Sequence, residues 1–407
     1  MTCFSSADIL LPHGVEMDKW AVIACDQFSS EPEYWQRVER SVGDAPSTLR
    51  LIFPEALLKD DAAARIRSIN AAMRGYEEAG LFSCCTDSFV YVERTLSDGT
   101  LRRGLVGVLD LECYEFTENS SAPVRATERT VVERIPPRVA IREGATLELP
   151  HVLLLCDDEE DAILAPIKGE RLYDFELMEG GGHIHGTLLR GAAAEKMRRR
   201  IAAYEQRQRL LCESQGFAPL LYAVGDGNHS LATAKACFER IKHERGAEAA
   251  ASHPARYALV ELENLHDSAQ RFAPIHRLVT GTDVPALLKA LEEKLGASSG
   301  VVVPWISAEA SGALTLDTAS GRLPVDLLQS FLDDWLASHR GELDYIHGDE
   351  SLRRLAKAPE SVGFLLPEIG KADFFRGIMA GGVLPRKTFS MGQARDKRYY
   401  LEARRIV

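Results

Sequence analysis

Apolar positions recur with two periods along the chain. From Asp60 to Ala79, Ile66, Ile69, Met73 and Tyr76 share one face and the pattern stops at Gly80, which predicts an amphipathic helix closed by glycine. The runs Phe89–Val92 and Leu105–Leu109 are rich in strand-forming residues and flank Ser97-Asp98-Gly99, a turn sequence suited to a β-hairpin. His151–Cys156 reads as a short buried strand, and Trp20–Cys25 as another. Ala192–Gln215 carries a long helical pattern ending at Gly216. Helical patterns return at Val284–Leu295 and Val325–Ser338, with a Thr- and Gly-rich strand region between them. Such a mixture predicts an α/β chain with a mixed, α+β sheet.

One local pattern stands apart. The apolar segment Leu220–Val224 is followed by Gly225-Asp226-Gly227-Asn228-His229-Ser230 and then by Leu231, Ala234, Phe238 and Ile241 at helical spacing. Strand, tight turn and helix in that order suit phosphate. Glycine lets the backbone approach a ligand, and the free N–H groups at the positive end of the helix face an anion. Gly225, Gly227, Asn228 and Ser230 are the expected phosphate contacts, and Asp226 could hold Mg²⁺ bridging phosphates. The plainer alternative is that Asn228 or Ser230 caps the helix and His229 is a satisfied polar residue.

Length and charge narrow the partners. The chain has 407 residues, 45% hydrophobic and 27% charged, enough for two packed units. The net charge of −12 opposes a polyanion, and no basic run is interleaved with aromatics, so nucleic acid is not an expected partner. No stretch reaches the ~20 apolar residues of a membrane span, and the N-terminus lacks a basic signal start. Eight cysteines are scattered without CxxC pairs, as expected of reduced thiols, and the expected location is cytoplasmic.

Several separated segments carry a family resemblance. They are Lys19–Gln27, Arg125–Thr130, Gly181–Gly186, Asp226–His229, Pro274–Arg277 and Leu384–Thr388. Together they resemble, over nearly the whole length, the family called domain of unknown function 1015 (DUF1015). Many relatives read Asp-Gly-His-His-Arg where this chain has Asp226-Gly227-Asn228-His229-Ser230, a turn similar to that of the ParB/sulfiredoxin-like fold and of its free-serine kinases. The resemblance implies a ParB/sulfiredoxin-like core with insertions over 1–280 and a C-terminal α+β portion over 281–407. It implies nucleotide-dependent phosphoryl transfer to a small hydroxy compound, with ATP or ADP and Mg²⁺ as cofactors and free serine as a candidate acceptor. Asp226 and His229 would then be catalytic, and Glu128, which aligns with the glutamate of a His-Glu-x-Thr segment, would be the general base. Asn228 and Ser230 depart from the pattern, and the missing arginine removes a bidentate phosphate clamp. Arg277, Arg386 and Lys387, with Arg395, Lys397 and Arg398 nearby, are candidate replacement cations if the chain folds back, the alternative being a solvated basic surface.

Further candidates line no obvious pattern. Asp26 follows a strand-like run and could meet metal or substrate, with a turn-forming role as the duller option. His183 and His185 alternate in Gly180–Gly186 and would share one face of an extended chain, where they could touch a ligand. His276 precedes Arg277 and joins them as a pocket candidate. Two rivals to the kinase remain: a nucleotide-binding sensor without catalysis, and a metal-dependent phosphoester hydrolase built on His183, His185, Asp226 and His229.

Overall fold

The hairpin predicted around Asp98-Gly99 forms the centre of the molecule. In the computed structural model, which describes all residues except 1, 58–60, 119, 130–134 and 150 and the side chains of 136 and 137, strands Phe82–Thr95 and Leu101–Asp110 pair antiparallel with Val90 opposite Val106. Side chains alternate: Val90, Val92, Val106 and Val108 face one layer, while Phe89, Tyr91, Leu105 and Leu109 face the other. Both faces are therefore buried, and the sheet is the middle of three layers.

That sheet has eleven strands. Its order from one edge is Glu170–Glu176, His183–Leu189, Phe82–Thr95, Leu101–Asp110, Tyr257–Asn264, Leu153–Cys156, Tyr222–Asp226, Val124–Ala126 and Tyr114–Glu115, with Phe4–Ser5 and Ala7–Pro12 added at the side. Pairing is antiparallel at the hairpin end and mixed beyond it: Leu153–Cys156 runs parallel to Tyr257–Asn264 but antiparallel to Tyr222–Asp226, and Val124–Ala126 runs parallel to both of its neighbours. One face is covered by the N-terminal segments and helix Ala62–Glu78, through Trp20, Val38, Ile69 and Met73. Helices Ala192–Ser214 and Asn228–Arg245 cover the other through Met197, Tyr204, Leu231 and Phe238.

The predicted helices hold with small shifts at their ends. Asp61 caps Ala62–Glu78 by accepting from the Ala64 amide, while Asp60, read as its start, lies outside the described residues. Val284–Leu295 is found as read, and Pro324–Leu336 begins at a proline in its first turn. The expected strand Trp20–Cys25 is mostly not one. Trp20 ends a short helix, Met17–Trp20, and only Val22–Ile23 pairs. The Trp20 indole donates to the Leu401 carbonyl, which fixes it as a core anchor.

A second sheet, of six strands, follows. Its order is Ser311–Leu316, Gly296–Ser307, Ser361–Phe364, Phe272–Thr280 and Glu342–His347, with Phe389–Met391 paired to the start of Phe272–Thr280. Phe272–Thr280, which precedes the expected division at 280/281, thus lies within this sheet. The tail then leaves it: Tyr399–Tyr400 pairs with Val22–Ile23 and Arg404–Arg405 with Leu147–Glu148. Among the described residues no helix is long and apolar enough to cross a membrane.

Candidate functional site

Parallel pairing brings the first site residues together. Ala126 lies opposite Val224, so Glu128 and Asp226, each two residues further on, leave the sheet at the same edge. Leu153–Cys156 runs the other way with Leu153 opposite Asp226, so His151, just before it, reaches that edge as well. A bulge at Gly225 shifts the register there; a Cβ on Gly225 would meet Met391 Sδ at 2.8 Å, so glycine lets the Phe389–Met391 strand close over the edge. Gly227 is left-handed, at φ 79°, and its missing Cβ leaves room for Val152.

The helix that follows starts without a side-chain cap. Asn228 Oδ1 instead accepts from the Thr127 amide at 3.2 Å, and Thr127 Oγ1 donates to the Val224 carbonyl at 2.6 Å. Ser230 Oγ lies 3.3 Å from His151 Nε2. Neither side chain caps the helix, so the positive end of its dipole faces the cleft. An anion there gains about 0.3–1 kcal/mol, or ~2 when partly buried. Micromolar binding needs about 8 kcal/mol, so further cations must contribute.

They come from the C-terminal part of the chain. Residues 384–388 run alongside 127–129: the Leu384 amide donates to the Thr127 carbonyl at 2.8 Å, and the Arg129 amide to the Leu384 carbonyl at 3.3 Å. This brings exposed Arg386 and Lys387 to the cleft, and among the described residues neither is in an ion pair. Lys397 lies 3.1 Å from Asp226 Oδ2, whose other oxygen accepts from the Gly227 amide. Lys387 holds a left-handed φ of 56°, a strained conformation for a residue with a side chain.

Burial raises the Glu128 carboxyl above the usual glutamate range. Lys387 and the Thr388 amide pull it down, Asp226 pushes it up and Lys397 pulls it down, with burial winning. Asp26 is also pushed up by burial, but His151, Gln27 and Lys397 outweigh that and hold it below the usual range. Its carboxylate lies 3.8 Å from His151 Nε2, and the Tyr400 hydroxyl lies 2.7 Å from His151 Nδ1. Cys25, beside them, accepts from Tyr400 at 3.1 Å, and burial pushes its thiol up to about 12. His347 also lines the cleft, lowered by burial and by Lys387 and His276.

The result is one cleft of about 460 Å³ in which Asp26, Glu128, Gly225, Asp226, Gly227, Asn228, His229, Ser230, Arg386 and Lys387 meet. Thr130, at the end of the Glu128 segment, lies outside the described residues. Four expected residues lie elsewhere. His183 and His185 do share a face, but it is turned to Asp174 at 2.8 and 3.5 Å on the outer hairpin. The glycines around them admit the chain itself: a Cβ on Gly182 would strike the Thr95 carbonyl, and one on Gly186 the Tyr173 ring. His276 is buried in the second sheet, 2.9 Å from Asp349 and accepting from the Leu366 amide. Arg277 is fully buried under Tyr345 and donates to Gln329 and to the carbonyls of Ile275, Arg386 and Lys387. It therefore holds the loop that carries the cations. Of the other basic candidates, Arg398 is buried between Glu261 and Glu402. Among the described residues no group of three His, Cys, Asp or Glu side chains is placed to hold a metal ion, so the cluster of His183, His185, Asp226 and His229 does not form.

Sequence reasoning missed His151, Tyr400, Arg138 and Glu55. His151 and Tyr400 carry no local signal; each borders an apolar run that reads as core. Arg138 and Glu55 form an ion pair across the cleft wall.

The fold and the cleft define a mixed α/β protein with an anion-suited pocket at a strand edge, where an uncapped helix start and cations converge. The chain belongs to the DUF1015 family, whose model, described as a protein of unknown function, matches residues 11–403. No curated protein matches it. Among solved structures it is similar to a free serine kinase in complex with AMP, with 11% identity, TM-score 0.37 and coverage of 72% of this chain and 90% of that one. It is also similar to SbnI with C-terminal truncation from Staphylococcus aureus, with 7% identity, TM-score 0.37 and coverage of 70% and 82%. A conserved hypothetical protein from Pyrococcus furiosus gives 12% identity, TM-score 0.35 and coverage of 70% and 95%.

Proposed function

We propose that the cleft transfers a phosphoryl group from a nucleotide to a small hydroxy compound. The observation that supports this best is the parallel register that sets Glu128 beside the uncapped start of the Asn228–Arg245 helix. A half-buried carboxylate with an upward-shifted pKa suits a general base, and an uncapped helix start with Arg386 and Lys387 suits phosphates.

In this reading the helix amides, Arg386 and Lys387 bind the phosphates of ATP, and His229 contacts the transferred group. The acceptor oxygen forms a bond to the γ-phosphorus as the bond from that phosphorus to the bridging oxygen breaks, and ADP leaves with that electron pair. The acceptor proton passes to Glu128. Mg²⁺ bound with the nucleotide would neutralise phosphate charge. Asp226 would be the carboxylate to hold it, in place of its pairing with Lys397. Free serine is one of the small alcohols to try.

The test is a calorimetric titration of ATP and ADP with Mg²⁺ into wild type and Glu128→Gln, followed by incubation with serine and other small alcohols and mass analysis of the products. Glu128→Gln should keep nucleotide affinity within about threefold and lose about 10²–10⁴ in turnover. Binding without turnover in wild type would favour the sensor, a reading that the absent arginine at Ser230 also fits. Absence of nucleotide binding would overturn both.

A further inference from the structure

Behind the cleft, five residues, Cys25, Glu55, Arg138, His151 and Ser230, also line the mouth of a second cavity. It runs inward under the first turns of the Asn228–Arg245 helix. Its walls are apolar: Leu51 and Phe53 from the N-terminal segment, Met73 from the Ala62–Glu78 helix, Ile141, Leu231, and Leu259 from the sheet. The volume is about 190 Å³. An apolar cavity of about 150 Å³ holds benzene, so this one has room for a ring with a short arm.

The polar groups in the wall already have partners. Arg138 is paired with Glu55. Arg142 lies 2.6 Å from Glu148, which also accepts from the Leu259 amide and from Arg404. His151 is engaged by Tyr400, and the Cys25 thiol accepts from the same hydroxyl. A nucleobase or an amino acid head group entering here would give up its hydrogen bonds to water and find few donors or acceptors uncommitted among the described residues. A hydrocarbon group has no such cost.

We propose that this chamber is the apolar subsite of the cleft and takes the hydrocarbon end of the acceptor, which is then an alcohol bearing one aromatic ring or a branched chain of similar size. The word acceptor rests on the phosphoryl-transfer reading; the chamber rests on its own walls. With the ring seated, the hydroxyl lies at the mouth, on the side of the helix start where the phosphates bind. The transferred bond is the one already described, from the γ-phosphorus of ATP to the alcohol oxygen, with ADP leaving and the proton taken by Glu128.

The full chain, loaded with ADP and Mg²⁺, is titrated with 2-phenylethanol and separately with serine by ligand-observed NMR. Wild type should bind 2-phenylethanol more tightly than serine. Ala234→Phe, which fills the chamber from the helix, should weaken 2-phenylethanol at least tenfold while ADP affinity stays unchanged. Met73→Ala, which enlarges the chamber without adding bulk, should shift preference toward 3-phenylpropanol. If 2-phenylethanol fails to bind wild type, or if neither variant alters the alcohol preference, the chamber assignment is overturned. Incubation with ATP then separates the two readings. Phosphorylated 2-phenylethanol supports both. Alcohol binding that responds to the variants, with nothing transferred, upholds the chamber and overturns the kinase.

Discussion

Lys387 tempers the behaviour of Glu128. In the proposed reading Glu128 is the general base and must be deprotonated to act, so turnover should fall as pH drops through its pKa, which burial holds above the ordinary value of about 4.3. Lys387 opposes that shift. Lys387→Ala should therefore move the acidic limb of the pH–rate profile to higher pH, as well as raising the KM for nucleotide. A limb that stays in place, or moves to lower pH, would separate the limb from Glu128. Cys25 offers a contrast: with its thiol pushed up to about 12, it stays protonated near neutrality and is a poor nucleophile, which fits its place as a wall of the chamber. From the chain alone, Glu128 and Asp226 could be nominated because each sits in a recognisable segment. His151 could not, because a histidine preceding an apolar run looks like any other edge of a strand.

At the scale of elements, the loop 384–388 depends on a residue that never reaches the cleft. Arg277 is buried, and burial lowers its pKa to about 10, so it remains a cation at neutral pH. Its planar fork serves the carbonyls of Ile275, Arg386 and Lys387 together. Arg277→Ala should cost about 3 kcal/mol in denaturant unfolding, because the buried Ile275 carbonyl and Gln329 side chain and the part-buried carbonyls of Arg386 and Lys387 lose their donor. Arg277→Lys should recover little of it and should still bind nucleotide weakly, since one ammonium cannot replace the fork. The strand, glycine turn and helix around Asp226 were legible because apolar period, glycine and helix spacing are all local signals. The partnership of Val124–Ala126 with Tyr222–Asp226 was not, because pairing between distant segments leaves no local pattern. Arg277 was misread for the same reason: an arginine that solvates and one that holds a loop look alike until the fold is known. The paired histidines at 183 and 185 were placed correctly on one face, but the partner across the hairpin, Asp174, decided what that face does.

The whole molecule is closed by its tail. Tyr399, Tyr400, Leu401, Ala403 and Ile406 are buried in the N-terminal core, and Arg398 neutralises Glu261 and Glu402 inside it. A chain lacking residues 397–407 should lose cooperative unfolding and nucleotide binding together, because it exposes apolar surface and leaves Glu261 as a buried charge without Arg398; calorimetric scanning beside titration would check this. A truncated chain that unfolds cooperatively near the wild-type temperature would sink the idea that the tail is part of the core. The same return of the tail has a consequence during synthesis. Lys397 and Tyr400 are translated after every other part of the cleft, on the order of ten seconds after the helix that starts at Asn228. Until residue 400 has left the ribosome, the nascent chain presents that helix start without Lys397 beside Asp226 and without Tyr400 on His151. Chains released early would carry an incomplete cleft and would not compete with finished molecules for their ligands.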